Sequence, residues 1–275
     1  MVFTDLDGTL LDHHDYGFTA AEPALARLKA ADVPLILVSS KTYAELVEYQ
    51  KLLGIHQPFI AENGGAICIP RGYFRTVDEL PALDPLDGYA VELLSPAYAD
   101  LVARLAAVRE AQGFRFRGFA DMDNAEVAGL TGLSLEAAAR ARTRLCSEPI
   151  LWQDSDEARA AFEDWLQSQG LRALQGGRFL SVLGRTDKGA AMSRLIDRYL
   201  KAGFEAPYSI ALGDSANDLD MLRHADHAVV VNNPHGHAIE RDALPQAFFT
   251  EGIGPVGWGQ AVETLLDHYE DRQHG

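Results

Sequence analysis

No run of apolar residues in this sequence is long enough to cross a bilayer, so a membrane-spanning helix is not expected. Cysteine is scarce. Cys68 and Cys146 stand far apart and form no CxxC pair, so the simplest expectation is a reduced, cytoplasmic protein with two ordinary thiols. Basic residues are few, with 24 Lys and Arg against 40 Asp and Glu and a formal net charge of −16. That balance argues against nucleic acid and anionic membranes as partners. It leaves an anionic small molecule open, because a metal ion and a few local cations can make one positive pocket in a negative protein. The opening stretch MVFTDLDGTL has no basic n-region and carries acids almost at once, so it does not read as a signal peptide. Internal repeats and low-complexity linkers are lacking too. What the chain does have is 275 residues, 47% of them hydrophobic, enough for one large domain or two smaller ones.

Short apolar runs alternate with longer amphipathic ones, the signature of an α/β protein. Val2 to Thr4, Pro34 to Val38 and Phe59 to Ala61 read as buried strands. Helices are expected over Ala20 to Ala31 and from Thr42 to about Leu53. Thr42 and Glu45 have the spacing of a capping box, and Gly54 stands as the terminator. Strand-helix units of this kind imply parallel strands joined by right-handed crossovers. From about Pro81 to Gly184 the chain changes to Ala-, Arg- and Glu-rich helices (Pro96 to Gln112, Leu135 to Leu145, Ser155 to Ser168). Strand-like pieces at Ala90 to Leu94, Ile150 to Trp152 and Phe179 to Leu183 lie between them. This is expected to be an inserted α+β lid, entered through Pro81-Ala82-Leu83-Asp84-Pro85. The α/β pattern then resumes with a helix at Asp187 to Lys201, strands at Ser209 to Leu212, Ala228 to Val231 and Ala247 to Thr250, and helices near Ala216 to Ala225 and Val256 to Tyr269. The expected organisation is a Rossmann-like core of residues 1–82 and 185–275 with a lid of residues 83–184.

Three polar clusters directly follow apolar strand-like runs: Asp5-Leu6-Asp7-Gly8-Thr9, Ser39-Ser40-Lys41, and Gly213-Asp214-Ser215-Ala216-Asn217-Asp218. In an open parallel sheet the carboxyl ends of the strands face one crevice, where residues remote in sequence meet. Lys188, after another strand-like run, can join them. Asp5, Asp7 and Asp214 offer the hard oxygen ligands that Mg2+ prefers. A divalent ion would relieve the mutual repulsion of crowded carboxylates and draw in a phosphate. Asp7 lies one strand period beyond Asp5 and so starts on the same face of the chain. Such a set suits phosphoryl transfer, with metal and lysine offsetting the repulsion between an attacking carboxylate and a phosphate dianion.

DLDGTLL at 5–11, VSS at 38–40, DKG at 187–189 and GDSANDLDML at 213–222 together resemble the haloacid dehalogenase superfamily of aspartate-nucleophile phosphatases. FIAENGG at 59–65 resembles its subgroup with a large α+β cap, the C2 type. Within that subgroup the chain is similar to the mannosyl-3-phosphoglycerate phosphatase family over nearly its whole length. That similarity includes SSKT at 39–42, Thr131-Gly132-Leu133-Ser134, Ser147-Glu148-Pro149-Ile150, Gly176-Gly177-Arg178-Phe179 and EGIGPVGW at 251–258. The resemblance implies Asp5 as nucleophile and Asp7 as acid and then base. It implies Mg2+ held by Asp5, the Asp7 carbonyl and Asp214, with Asn217 and Asp218 supporting the metal's waters and the lysine. Ser39, Ser40 and Lys188 would bind phosphate. The family's usual acid and aromatic are Leu145 and Cys146 here, and its frequent histidine is Ser181; these positions fall in the lid, which selects substrate.

Lys41, Arg144 and Arg178 are the candidates for substrate contact, since a guanidinium pairs bidentately with a glycerate carboxylate. Arg140, Arg142 and Arg144 recur every two residues and cannot all face one ligand. His13-His14-Asp15 reads as a surface loop, and His224, His227, His235 and His237 as structural. Trp152 and Trp165 are expected to pack the lid, and Tyr43 and Tyr49 on their helix read as core or surface. The expected activity is hydrolysis of mannosyl-3-phosphoglycerate to mannosylglycerate and phosphate. A phosphatase for another small sugar phosphate and a phosphomutase remain alternatives, separable by a substrate panel and by phosphate release against isomer formation. A binding module that kept the fold is disfavoured, because every reacting group is present. Oligomeric state has no signature in the sequence.

Overall fold

The computed structural model describes residues 1–74, 88–235 and 239–274. The expected lid entrance at Pro81 to Pro85 and His237 lie outside the described residues. The chain begins with β1 (Val2–Thr4), α1 (Glu22–Ala30), β2 (Leu35–Leu37), α2 (Tyr43–Leu53), β3 (Phe59–Ala61), β4 (Ala66–Pro70) and β5 (Tyr89–Leu93). A second stretch carries α3 (Tyr98–Gln112), β6 (Phe116–Gly118), α4 (Asn124–Thr131), α5 (Leu135–Arg142), β7 (Glu148–Trp152), α6 (Asp156–Ser168), β8 (Leu171–Gly176) and β9 (Phe179–Gly184). The last has α7 (Lys188–Lys201), β10 (Ile210–Gly213), α8 (Leu219–His224), β11 (His227–Asn232), β12 (Phe248–Ile253) and α9 (Pro255–His274).

Five parallel strands form the central sheet in the order β12-β11-β10-β1-β2. A parallel bridge from Val38 to Ile60 extends it to β3, which turns into the antiparallel sheet β3-β4-β5. The four-stranded antiparallel sheet β6-β7-β9-β8 and its helices make the cap. β1, β2 and β10 are short and almost wholly buried, as strands of a parallel sheet between helix layers are. One cluster around Leu6, Leu37, Val229 and Trp258 covers one face. Another around Phe3, Ile36, Met192 and Val230 covers the other. Trp152 and Trp165 pack against a separate cap cluster built on Leu105, Phe162 and Leu180. Tyr43 and Tyr49 pack against the Leu6 cluster. No helix among the described residues is long and apolar enough to cross a membrane.

Several details depart from the sequence expectations. The strand expected at Ala90 to Leu94 within the lid pairs with β4, so the antiparallel extension of the core includes it. The helix expected to reach Leu145 stops at Arg142, because Glu62 claims the amides of Leu145 and Cys146. The helix expected near Ala216 to Ala225 opens with a single 3-10 turn, Ala216–Asp218, before α8. The final helix begins at Pro255, one residue before the expected Val256. Where local chemistry was strong the agreement is close. Thr42 and Glu45 form the capping box, and Gly54 is left-handed with φ 62°.

Trp258 on α9 is fully buried, and its indole N–H donates to Thr4 Oγ1 at 2.9 Å. The Thr4 hydroxyl in turn donates to the Asp5 carbonyl at 2.7 Å. The tail helix thus secures the backbone of β1 where it leads to Asp5. Trp258→Ala is expected to cost about 3–5 kcal/mol of stability, read from the denaturant midpoint.

Candidate active site

The clusters after β1, β2 and β10 converge at the carboxyl ends of their strands, with the start of α7 beside them. Asp187 caps α7, its Oδ1 accepting the Ala190 amide at 2.7 Å. This sets Lys188 at the first helical position, fully buried. Its ammonium donates to Asp5 Oδ1 and to Asp218 Oδ1, each at 2.6 Å. Asp218 Oδ2 accepts the amides of Asp214 and Ser215, each at 3.1 Å. Asp218 is therefore saturated as an anchor for the lysine and the loop. Asp214 Oδ1 accepts the Thr9 hydroxyl at 3.1 Å, and its Oδ2 accepts the Asn233 amide at 2.6 Å. Gly8, at φ 80°, lets Asn233 come this close, since a Cβ there would lie 2.3 Å from Asn233 Nδ2.

Carboxylate oxygens of Asp5, Asp214 and Asp218 lie within 4.8 Å of one another, all buried. Burial, and then the negative charges of Asp218, Asp214 and Asp7, push the Asp5 carboxyl well up, against the pull of Lys188. Asp214 is raised by burial and by Asp218. Burial opposes the Lys188 charge, but Asp218 and Asp5 overcome it and hold the ammonium protonated. Three carboxylates against one ammonium leave an excess of negative charge with hard oxygen donors, which fits a small divalent cation.

Asp7 stands apart from that cluster. Its Oδ2 pairs with the Lys41 ammonium at 2.8 Å, while its Oδ1 is buried without a hydrogen-bond partner among the described residues. Asp7 and Lys41 line an open cleft of about 260 Å3, with Ser40, Asn63 and Asn217 on the core side. Phe119, Arg144, Leu174, Phe179 and Ser181 face them from the cap. Ser39 is buried beneath, its Oγ accepting the Lys41 amide at 3.2 Å. Asn217 donates to Asn63 at 3.3 Å.

The cap arginines divide. Arg142 donates to the Phe119 carbonyl and to Asn124. Arg144 lies beyond the helix end and donates to Ser147 Oγ, the Ala141 carbonyl and the Ser40 carbonyl. It reaches the cleft, but much of its guanidinium is engaged in joining cap to core. Arg178, expected to touch substrate, is outside the cleft lining; its exposed side chain donates to the Leu130 carbonyl. The turn at Gly177 directs it outward.

Glu62 was read only as part of the FIAENGG segment, with no role of its own. It is fully buried at φ 53°, and its carboxylate accepts the Leu145 amide (2.7 Å), the Cys146 amide (3.0 Å) and the Ser147 hydroxyl (2.6 Å). Arg144 Nε lies 3.7 Å away. Its own backbone amide donates to the Lys41 carbonyl, so one residue links the loop after β2 to the cap. Nothing in FIAENGG reveals this, because the partners lie some eighty residues on. Asn233 could have been found: Asn232-Asn233-Pro234 is another polar cluster after a buried strand. Glu62→Ala is expected to cost about 3–5 kcal/mol in denaturant unfolding, since it strands buried donors and the Arg144 charge.

A profile described as haloacid dehalogenase-like hydrolase matches residues 2–81 and 154–241. The chain is 39% identical over 266 residues to the glucosyl-3-phosphoglycerate/mannosyl-3-phosphoglycerate phosphatase of Methanococcoides burtonii, covering 97% of each. Among solved structures it resembles a haloalkanoate superfamily phosphatase of Bacteroides thetaiotaomicron, at TM-score 0.65 and 17% identity over 97% of this chain and 93% of that one. It also resembles the sucrose-phosphatase of Synechocystis sp. PCC6803, at TM-score 0.60 and 15% identity over 96% of both chains. With the carboxylate cluster, the buried lysine and the capped parallel sheet in place, the chain belongs to the haloacid dehalogenase-like hydrolase family.

Proposed function

We propose that this protein is a Mg2+-dependent phosphatase that hydrolyses a glycosyl-3-phosphoglycerate, with mannosyl or glucosyl as the sugar, through a phosphoryl group carried on Asp5. The observation that carries it is the meeting of Asp5, Asp214 and Lys188 from three remote stretches of chain. The substrates for which the relative is named and its 39% identity, extending through the cap, support the substrate.

Asp5, the Asp7 carbonyl and Asp214 would hold the ion, and Asn217 and Asp218 would steady its surroundings. When bound, the ion supplies positive charge against the phosphate oxygens. Lys188 adds a second positive charge, and the Ser39 hydroxyl and the Ser40 loop offer hydrogen bonds. The Asp5 carboxylate attacks phosphorus, and the bond from phosphorus to the glycerate oxygen breaks. Asp7, protonated once Lys41 turns to the substrate carboxylate, gives that proton to the leaving oxygen. It then takes a proton from water as the water oxygen attacks phosphorus, and the bond to Asp5 breaks to release phosphate. Lys41, held protonated by Asp7 and Glu45 against burial, sits where it can switch between Asp7 and a substrate carboxylate.

We assign the core to residues 1–82 and 185–275 and the lid to residues 83–184, with β5 of that stretch seated on the core. The lid would close over the cleft and exclude water before transfer. The free, buried Cys68 and Cys146 suit a reducing cytoplasm.

Asp5→Asn is expected to abolish phosphate release while leaving the protein folded; undiminished turnover would falsify the nucleophile assignment. Mg2+ at about a hundred times its Kd should stabilise the wild type by ~2.7 kcal/mol in thermal unfolding. Asp214→Asn should lose that gain. In a substrate panel, kcat/KM for mannosyl- or glucosyl-3-phosphoglycerate should exceed that for hexose 6-phosphates by at least about tenfold, or ~1.4 kcal/mol. Equal rates would reject the substrate, and isomer formation without phosphate release would indicate a mutase.

A further inference from the structure

The loop after Asp7 and the loop after β11 meet at three exposed histidines that play no part in the proposed reaction. His14 Nε2 lies 3.2 Å from His235 Nε2. The His13 ring stacks on His235 with centroids 4.8 Å apart and planes 14° from parallel. His14 stands edge-on to both, at 5.4 and 4.7 Å. The expectations of a plain surface loop for His13 and His14, and of a structural His235, missed this meeting because its members are 221 residues apart.

We propose that His14 and His235 form a second cation site, selective for a borderline transition-metal ion such as Zn2+ or Ni2+. Two imidazole nitrogens bound tetrahedrally to Zn2+ at about 2.0–2.1 Å stand roughly 3.3 Å apart. The pair already has that separation. Both loops are fixed locally. Asp12 Oδ1 accepts the His14 amide at 2.8 Å, and Asn233 Oδ1 accepts the His235 amide at 3.0 Å. Stacking against His13 steadies the His235 ring. Exposure leaves the remaining coordination positions to water, so the site is open and exchangeable. Imidazole ligands favour Zn2+, Ni2+ and Cu2+ over Mg2+, whereas the carboxylate cluster has the opposite preference. The two sites therefore sort their ions by ligand chemistry.

The position gives the site a consequence. His235 follows Asn233, which orients Asp214. His14 precedes Tyr16, whose ring lies 5.2 Å from the Lys41 ammonium that pairs with Asp7. An ion bound to both histidines ties the loop beside the acid/base to the loop behind the metal aspartate.

The competing account is a simple hydrogen bond between two imidazoles, which binds no ion. Calorimetric titration of the full protein, kept in saturating Mg2+ so that the carboxylate cluster is filled, separates the two. Zn2+ and Ni2+ alone are the probes. The expected result is a saturable binding event in the wild type and in His268→Ala, an exposed control on α9, that is lost in both His14→Ala and His235→Ala. Both variants are exposed and should keep the wild-type circular dichroism, and only in the wild type and the control should Ni2+ raise the thermal midpoint. Absence of a saturable event in the wild type, or its persistence in either His14→Ala or His235→Ala, overturns the proposal.

Discussion

A buried ammonium between two buried carboxylates is the contact on which the rest of the site depends. Lys188 has no exposed surface and donates to Asp5 and Asp218 at 2.6 Å each. Such a group is tolerable only because both partners and its place on α7 are held by the fold. A buried ion pair of this kind is weak evidence for stability, since desolvation consumes much of the Coulombic gain. Its value is geometric. It fixes the distance between the loop after β1 and the loop after β10, and it sets a positive charge beside Asp5.

The surroundings follow from that constraint. Asp218 spends its second oxygen on the amides of its own loop, so it cannot drift toward the cluster's free space. Asp214 is oriented by Thr9 and Asn233 from two other loops. The central sheet supplies the common edge, and Trp258 supports the strand that carries Asp5 through Thr4. Asp7 is held outside the cluster by Lys41, so two neighbouring aspartates of one motif have different electrostatic settings.

The cap is joined to this floor through a second buried carboxylate. Glu62 grips the loop from Leu145 to Ser147, and Ser95 donates to the Cys146 carbonyl while accepting the Gly184 amide. Ser95 follows β5 and Gly184 ends β9, so one hydroxyl ties both segments to the loop at Cys146. Leu145 and Cys146, the positions that differ from the family's usual residues, engage Glu62 through backbone amides, which any side chain would allow. Ser181 is different, because it faces the cleft itself.

The central strands, the capped helix at Thr42 and the polar clusters at the carboxyl ends of β1, β2 and β10 were legible in the sequence. Apolar runs, capping pairs and turn residues are local signals whose causes lie within a few residues. β4, β6, β8 and α4 were not foreseen, because their short or mixed patterns become structure only when a neighbouring strand or helix covers them. Glu62 as clamp, Asn233 behind Asp214, Arg178 turned outward and the meeting of His14 with His235 are likewise tertiary facts. Each depends on which distant group arrives within about three ångströms of a side chain. Residue type and spacing determined the chemistry available to this chain, while the packing of cap on core decided which of those groups share a site.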